Sequence, residues 1–222
     1  MLYIIATPIG NLEDITFRAV NVLKNVDIIL CEDTREAIKI LNRFDIKKPL
    51  LSYYKDNERY RLKKAVEFLK EGRDVALICD RGTPGVSDPA YLLVREAHRN
   101  NIPVSPVPGP SALTAAMSVC GLPTDRIVFY GFLPKKKGKK RKVIEELNER
   151  EETVIFYESV HRIKETLEFI KEIFPSDREM TLCRELTKKF EEIRIGTISE
   201  IWEYYKEKEV KGEFVIIIRG NK

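Results

Sequence analysis

The sequence is poor in the residues that build several common kinds of site. Two histidines, His98 and His161, are too few for a histidine-rich metal centre, and the four cysteines include no CxxC pair. Three of them, Cys31, Cys79 and Cys183, sit in or at the end of apolar runs (DIILC, VALIC, MTLC). This predicts buried, reduced thiols, no metal, and a cytoplasmic setting. No apolar run approaches the roughly 20 residues that span a bilayer, so no membrane contact is expected. The opening MLYIIATPIGN has no basic leader and reads as a first strand rather than a signal peptide. There is no GxGxxG run and no Walker-type GxxxxGK, which removes the usual nucleotide-phosphate cradles.

What is present begins with charge. The 222 residues hold 39 Lys+Arg and 35 Asp+Glu, a formal charge of +4. Seven of the basic residues fall in the window 135–142 (KKKGKKRK); without it, 32 basic residues face 35 acidic ones, a net of −3. The protein is a slightly acidic body with one concentrated positive patch. That excludes a histone-like surface and leaves a local polyanion contact open. With 43% hydrophobic residues the chain can bury a real core.

Strand-like and helix-like runs alternate through the first half. Strands are predicted at 2–6, 27–31, 49–53, 75–79 and 103–107, and helices at 15–24, 34–44, 57–69 and 111–119, with Asp88-Pro89 as the N-cap and first turn of another. This βα order argues for a parallel sheet with helices on both faces. The second half has a strand at 127–130, a helix from the basic run to about residue 150, a strand at 153–157 and a helix at 162–173. Strands at 179–184, 190–197 and 213–219 follow, with a helix at 198–206. Strands without long crossovers imply a mixed sheet with antiparallel pairs. The expected division is an N-terminal α/β domain at 1–118 and a C-terminal α/β domain at 119–222.

In open α/β sheets, ligands bind beyond the carboxyl ends of the strands. The segments in those places are Thr7-Pro8-Ile9-Gly10-Asn11, Glu32-Asp33-Thr34-Arg35, the run from Asp80 to Pro89, and Pro108-Gly109-Pro110-Ser111. Any one is ordinary turn chemistry, but four on one rim point to a pocket. Their prolines remove the N–H donors that a phosphate cradle needs. A ligand with a carboxylate, an amine and an adenine but no phosphate fits better. In the second half, Phe156-Tyr157-Glu158-Ser159-Val160-His161-Arg162 and Arg184-Glu185-Leu186-Thr187-Lys188 each crowd acid, base and hydroxyl groups at a strand end. Solvated loop charge is the plain alternative for both. The basic run lies where a loop enters a helix, a good place for a phosphate contact, with no RRM, KH or zinc-finger pattern beside it.

Together these segments resemble the small-subunit ribosomal RNA methyltransferase I branch of the tetrapyrrole methylase superfamily. The matching runs are TPIGNLEDIT (7–16), CEDTR (31–35), DRGTPGVSDPA (80–90), PVPGPSA (106–112), GLPTDR (121–126), GFLP (131–134), FYESVHR (156–162), RELTKKFEE (184–192) and KGEFVIII (211–218). Tetrapyrrole-acting relatives usually open with a GxGxGD-like loop, and TPIGN in its place favours the ribosomal branch. A small residue usually stands where this chain has Arg81.

The resemblance implies a two-domain tetrapyrrole methylase-like fold with the cofactor cleft between the domains. It implies S-adenosylmethionine as methyl donor, 2′-O-methylation of a cytidine in the decoding region of 16S rRNA in the 30S subunit, and a homodimer. A methylase of the same superfamily acting on a tetrapyrrole or another small acceptor is the alternative. The cofactor contacts it implies are Pro8, Asp80, Gly82, Thr83, Pro84, Ser111, Ala112 and Tyr157. Lys188 and Glu185 are the first catalytic candidates, ahead of Glu158 and Asp33. Lys135, Lys136, Lys137, Lys139, Lys140, Arg141 and Lys142 are the candidate RNA contacts.

Overall fold

The structure is a computed structural model and describes residues 1–221. The chain divides into two units, Met1–Ser111 and Ala112–Lys222.

The first unit is a five-stranded parallel sheet. Its strands are β1 (Leu2–Ile5), β2 (Ile28–Cys31), β3 (Leu50–Ser52), β4 (Val75–Leu77) and β5 (Val104–Val107), in the order β3-β2-β4-β1-β5. The helices between them are α1 (Phe17–Asn25), α2 (Thr34–Arg43), α3 (Glu58–Lys70) and α4 (Tyr91–Arg99). The alternation of side chains along each strand sorts the apolar runs into two cores. Leu2, Ile28, Leu30, Val75 and Leu77 pack with Ala65, Val66 and Leu69 of α3 and Leu93 and Ala97 of α4. Ile5, Ile29, Cys31 and Ala76 pack on the opposite face with Ala19 and Leu23 of α1 and Ala37 and Leu41 of α2. That two-sided burial is why these strands read as unbroken apolar runs. Two helix starts carry side-chain caps: Thr16 Oγ1 accepts from the Ala19 N–H at 3.1 Å, and Asp33 Oδ1 accepts from the Arg35 N–H at 2.8 Å.

The second unit opens with α5 (Ala112–Val119) and holds a mixed sheet. Its strands are β6 (Ile127–Phe132), β7 (Thr153–Ser159), β8 (Glu179–Arg184), β9 (Glu192–Thr197) and β10 (Glu213–Ile218), in the order β6-β7-β10-β8-β9. Only β6 and β7 run parallel; the β7–β10, β10–β8 and β8–β9 pairs are antiparallel. Helices α6 (Lys137–Asn148), α7 (Ile163–Ile173) and α8 (Ile198–Tyr205) cover one face through Ile144, Leu147, Ile163, Leu167, Ile170, Ile198 and Ile201. On the other face, buried Thr181 donates to the Cys120 carbonyl at 2.6 Å, just beyond α5.

All four cysteines are buried free thiols. No helix among the described residues is long and apolar enough to cross a membrane. The cap expected at Asp88-Pro89 is wrong. Helix α4 starts at Tyr91, with Ala90 as its N-cap and no side-chain cap bond. The Asp88 carboxyl lies beside the Cys79 thiol in the loop and caps no helix.

Candidate functional site

At the carboxyl edge of the parallel sheet, the loops after three strands are tied to one another. Thr7 and Gly82 form an isolated antiparallel bridge, with N–H to carbonyl distances of 2.8 and 2.9 Å. The buried Thr7 hydroxyl donates to the Cys79 carbonyl at 3.0 Å, and the Thr83 hydroxyl to the Pro110 carbonyl at 3.1 Å. Gly82 has φ +81, and a Cβ there would rest 3.5 Å from Ile9 Cγ2. A side chain at this position would be strained by the left-handed backbone, with its Cβ in ordinary contact with the loop after β1. Pro8, Asp80, Gly82, Thr83, Pro84 and Ser111 thus belong to one stitched rim. Ala112 and Tyr157 belong to the second unit, at the start of α5 and in β7. Arg81 is exposed, and its backbone carbonyl accepts from the Cys79 thiol at 3.3 Å.

The rim is acidic. Burial first, then the charges of Asp80, Asp88 and Asp33, raises the Glu32 carboxyl. Burial likewise raises Asp80, whose Oδ1 accepts from the Asp33 N–H at 3.0 Å. Burial, with the charge of Asp80 behind it, pushes Asp88 up to about 6. Asp33 goes the other way, to about 2, because its carboxylate is hydrogen-bonded by Arg35. Partly desolvated carboxylates that repel each other favour a ligand bearing positive charge. Four prolines without N–H groups, at 8, 84, 108 and 110, suit a phosphate poorly. Among the described residues no group of His, Cys, Asp and Glu is placed to hold a metal.

In the second unit, the segment after β8 is unusual in its backbone. Glu185 and Thr187 have φ of 51° and 65°, the left-handed region that non-glycine residues rarely adopt. Such strain costs about 1–3 kcal/mol per residue and gathers at working sites. The turn presents Lys188, whose ammonium lies 2.8 Å from Glu185 Oε1 and 2.9 Å from Glu213 Oε2. Glu185 Oε1 also accepts from the Glu213 N–H at 3.0 Å. Glycine is required at 212, which has φ +109 and where any Cβ would collide with Glu185 Cγ, Cδ and Oε1. Glu185 therefore positions Lys188, and Lys188 is the cation of the pair. Sequence reasoning missed Gly212 and Glu213, although both sit in the matched KGEFVIII run.

Glu158 is a different case. It is 1% exposed. Its carboxylate takes Arg162 Nη2 at 2.7 Å, the Thr166 hydroxyl at 2.7 Å and the Ser159 N–H at 2.8 Å. Arg162 in turn donates to the Leu133 carbonyl at 2.9 Å. These bonds saturate the group and fix the segment before the basic run. A buried carboxylate so fully occupied is structural, which removes Glu158 as a base. His161 is exposed.

The basic run splits in two. Lys140 is fully buried and bonds Glu165 Oε1 at 2.7 Å and Thr166 Oγ1 at 3.2 Å. It cannot touch RNA, which corrects the expectation that all seven basic residues of the run are RNA contacts. The helical period explains it: 140, 144 and 147 form one stripe, the stripe that carries Ile144 and Leu147 into the core. The other six are exposed. Lys137 pairs with Glu165, and Arg141 with Glu145 and Glu172. Lys135, Lys136, Lys139 and Lys142 have no ion-pair partner among the described residues. Helix α6 also begins without a side-chain cap and without an acidic residue in its first turn. Lysines at a helix N-terminus oppose its dipole, and an anion there relieves both. Replacing Lys140 by methionine is expected to cost about 1–2 kcal/mol of stability through its lost bonds to Glu165 and Thr166, which keep Lys137 and Glu158 as partners. Chemical denaturation reads that loss, and the salt dependence of RNA binding should stay unchanged.

The chain matches the family described as Tetrapyrrole (Corrin/Porphyrin) Methylases over residues 1–201. It is 46% identical to ribosomal RNA small subunit methyltransferase I of Halalkalibacterium halodurans, over 99% of this chain and 76% of that protein. It is 45% identical to the protein of the same name from Thermotoga maritima, over 99% of this chain and 98% of the relative. Among solved structures it resembles the cobalamin biosynthetic enzyme cobalt precorrin-4 methyltransferase, with a TM-score of 0.69 at 15% identity, covering 98% of this chain and 94% of the other. It also resembles uroporphyrin-III-C-methyltransferase from Thermus thermophilus, with a TM-score of 0.63 at 19% identity, covering 97% and 93%. At those identities the two structures establish the fold alone.

Proposed function

From the premise that the chain belongs to the tetrapyrrole methylases, and within them to the ribosomal RNA small subunit methyltransferase I family, we propose that it methylates the ribose 2′-oxygen of a cytidine in the decoding region of 16S rRNA, as a cytoplasmic homodimer. The methyl donor of the family is S-adenosylmethionine. The observation that carries the choice of RNA over a small acceptor is the set of four unpaired lysines about the start of α6. A tetrapyrrole-sized acceptor needs no such extended cationic surface, whereas an RNA strand does.

When bound, S-adenosylmethionine supplies an electrophilic methyl group on a sulfonium. The residues of the first rim fit it: Glu32, Asp80 and Asp88 would offset its positive charges, and Pro8, Gly82, Thr83, Pro84 and Ser111 would line it. In the second unit, Lys188 would offer an ammonium to the negative charge that the 2′-oxygen gathers as its proton passes to solvent, with Glu185 and Glu213 holding it at 2.8 and 2.9 Å. Lys135, Lys136, Lys139 and Lys142 hold phosphates and set the strand's register.

Asp88 must ionise to face a cation, so donor binding displaces its proton. Affinity for S-adenosylmethionine should rise between about pH 5 and about pH 7, with proton release on binding. Calorimetry in buffers of differing ionisation enthalpy reads both, and a flat profile would detach Asp88 from the ligand. The reaction itself is tested with labelled S-adenosylmethionine and naked 16S rRNA, 30S subunits or a tetrapyrrole. Label on 16S rRNA supports the proposal, and label on the tetrapyrrole alone overturns it.

A further inference from the structure

Strand β6 carries a register shift between Phe129 and Gly131. Phe129 pairs with Ile155, Gly131 with Phe156, and Phe132 with Tyr157. Tyr130 is the extra residue, and Gly131 takes φ +77 to let the chain pass. The bulge has a specific consequence for the aromatics. In a regular strand, residues three apart point to opposite faces. Here Phe129 and Phe132 point to the same face, that of Ile155 and Tyr157, away from the core that holds Phe156. Both rings meet Tyr157 edge-on, with centroids 5.0 and 5.5 Å apart. Phe132 nevertheless remains 54% exposed.

An exposed phenylalanine ring on an edge strand is an expense for a folded protein, and this one is braced rather than loose. Three residues further on, Lys135 and Lys136 begin the unpaired cations of the basic run. We infer that Phe132, braced by Tyr157, is a stacking platform for an unpaired base of the RNA, with Lys135 and Lys136 holding the adjacent phosphates. A ring with a free face beside lysines matches how single-stranded nucleic acid is held, by stacking along a cationic track. The neighbouring charge selects this occupant over an apolar one. By holding that base, Phe132 sets which segment of the strand is presented.

This inference rests on the RNA reading above, and the test separates the two. Binding of polycytidylic acid is measured for the wild type and for Phe132→Ala, Phe132→Leu and Phe132→Trp, while wild-type methyl transfer to 30S subunits is followed in parallel. Alanine and leucine should each weaken binding about tenfold, with an unchanged salt slope because no charge is lost. Tryptophan should restore binding, and its emission, taken as the difference from the wild type with Trp202 alone, should be quenched by the RNA. Wild-type affinity in the alanine variant, or tryptophan emission indifferent to RNA, would overturn the inference. Failure of the wild type to methylate 30S subunits would instead count against the RNA reading, whatever the Phe132 variants do. The variants' thermal unfolding should stay within a few degrees of wild type, since a half-exposed ring contributes little to the core.

Discussion

Replacing Lys188 by alanine is expected to slow single-turnover methyl transfer about 10²- to 10³-fold, while the affinity for S-adenosylmethionine stays within about twofold. The size follows from the role. A hydroxyl becomes a good nucleophile only as its proton departs, and a fixed cation beside that oxygen lowers the barrier without itself moving. Lys188 is fixed in the required sense: two carboxylates hold its ammonium at 2.8 and 2.9 Å. One of these, Glu185, sits in a strained left-handed turn that only a glycine at 212 accommodates. Glu185→Gln keeps the shape and loses the charge, so it should give a smaller defect than the loss of the lysine. Rapid-quench measurement with bound donor separates this from a binding defect. An unchanged rate for Lys188→Ala would remove the residue from the chemistry and leave the Glu185–Lys188–Glu213 cluster as a structural clasp.

Neutralising Lys135, Lys136, Lys139 and Lys142 together should weaken RNA binding about a thousandfold near 0.1 M salt. Each phosphate contact contributes about 0.7–0.9 to the slope of log affinity against log salt, so four contacts account for about 3. Extrapolated to 1 M, where that term vanishes, the variant and wild type should converge. Lys137 and Arg141 already spend their charge on Glu165, Glu145 and Glu172, and their replacement should change the slope by less. Binding of S-adenosylmethionine should not change. A slope equal to wild type would reduce the run to a solvated helix face.

Much of the fold was legible because local pattern and tertiary role agree. Strands β2 and β4 are buried on both faces, so their apolar runs are continuous, and the intervening stripes have helical spacing. The failures came where a residue serves something distant in sequence. Asp88 before proline has the local form of a cap, but the helix starts only at Tyr91 and its carboxyl lies beside Cys79. Lys140 looks like one more surface lysine in KKKGKKRK, yet the partners that make burial tolerable, Glu165 and Thr166, lie on another helix 25 and 26 residues away. Its spacing to Ile144 and Leu147 was the readable signal. The strained turn at Glu185 and the bulge at Tyr130 are backbone conformations set by pairing across the sheet, and composition carries little trace of either. The rim loops were legible as a set because Gly, Pro and Asp accumulate after strand ends. The stitching of Thr7 to Gly82 and of Thr83 to Pro110 joins residues far apart in the chain, and no local pattern encodes it.

The central claim, methyl transfer to a ribose oxygen of 16S rRNA, is tested most directly by nucleoside analysis. 30S subunits lacking the modification are incubated with the protein and S-adenosylmethionine, and the 16S rRNA is digested to nucleosides and examined by mass spectrometry. A gain of 2′-O-methylcytidine is expected, at a position that becomes resistant to alkaline cleavage. A methyl group carried on a base with the neighbouring phosphodiester still alkali-labile, or no gain on 16S rRNA at all, would contradict it.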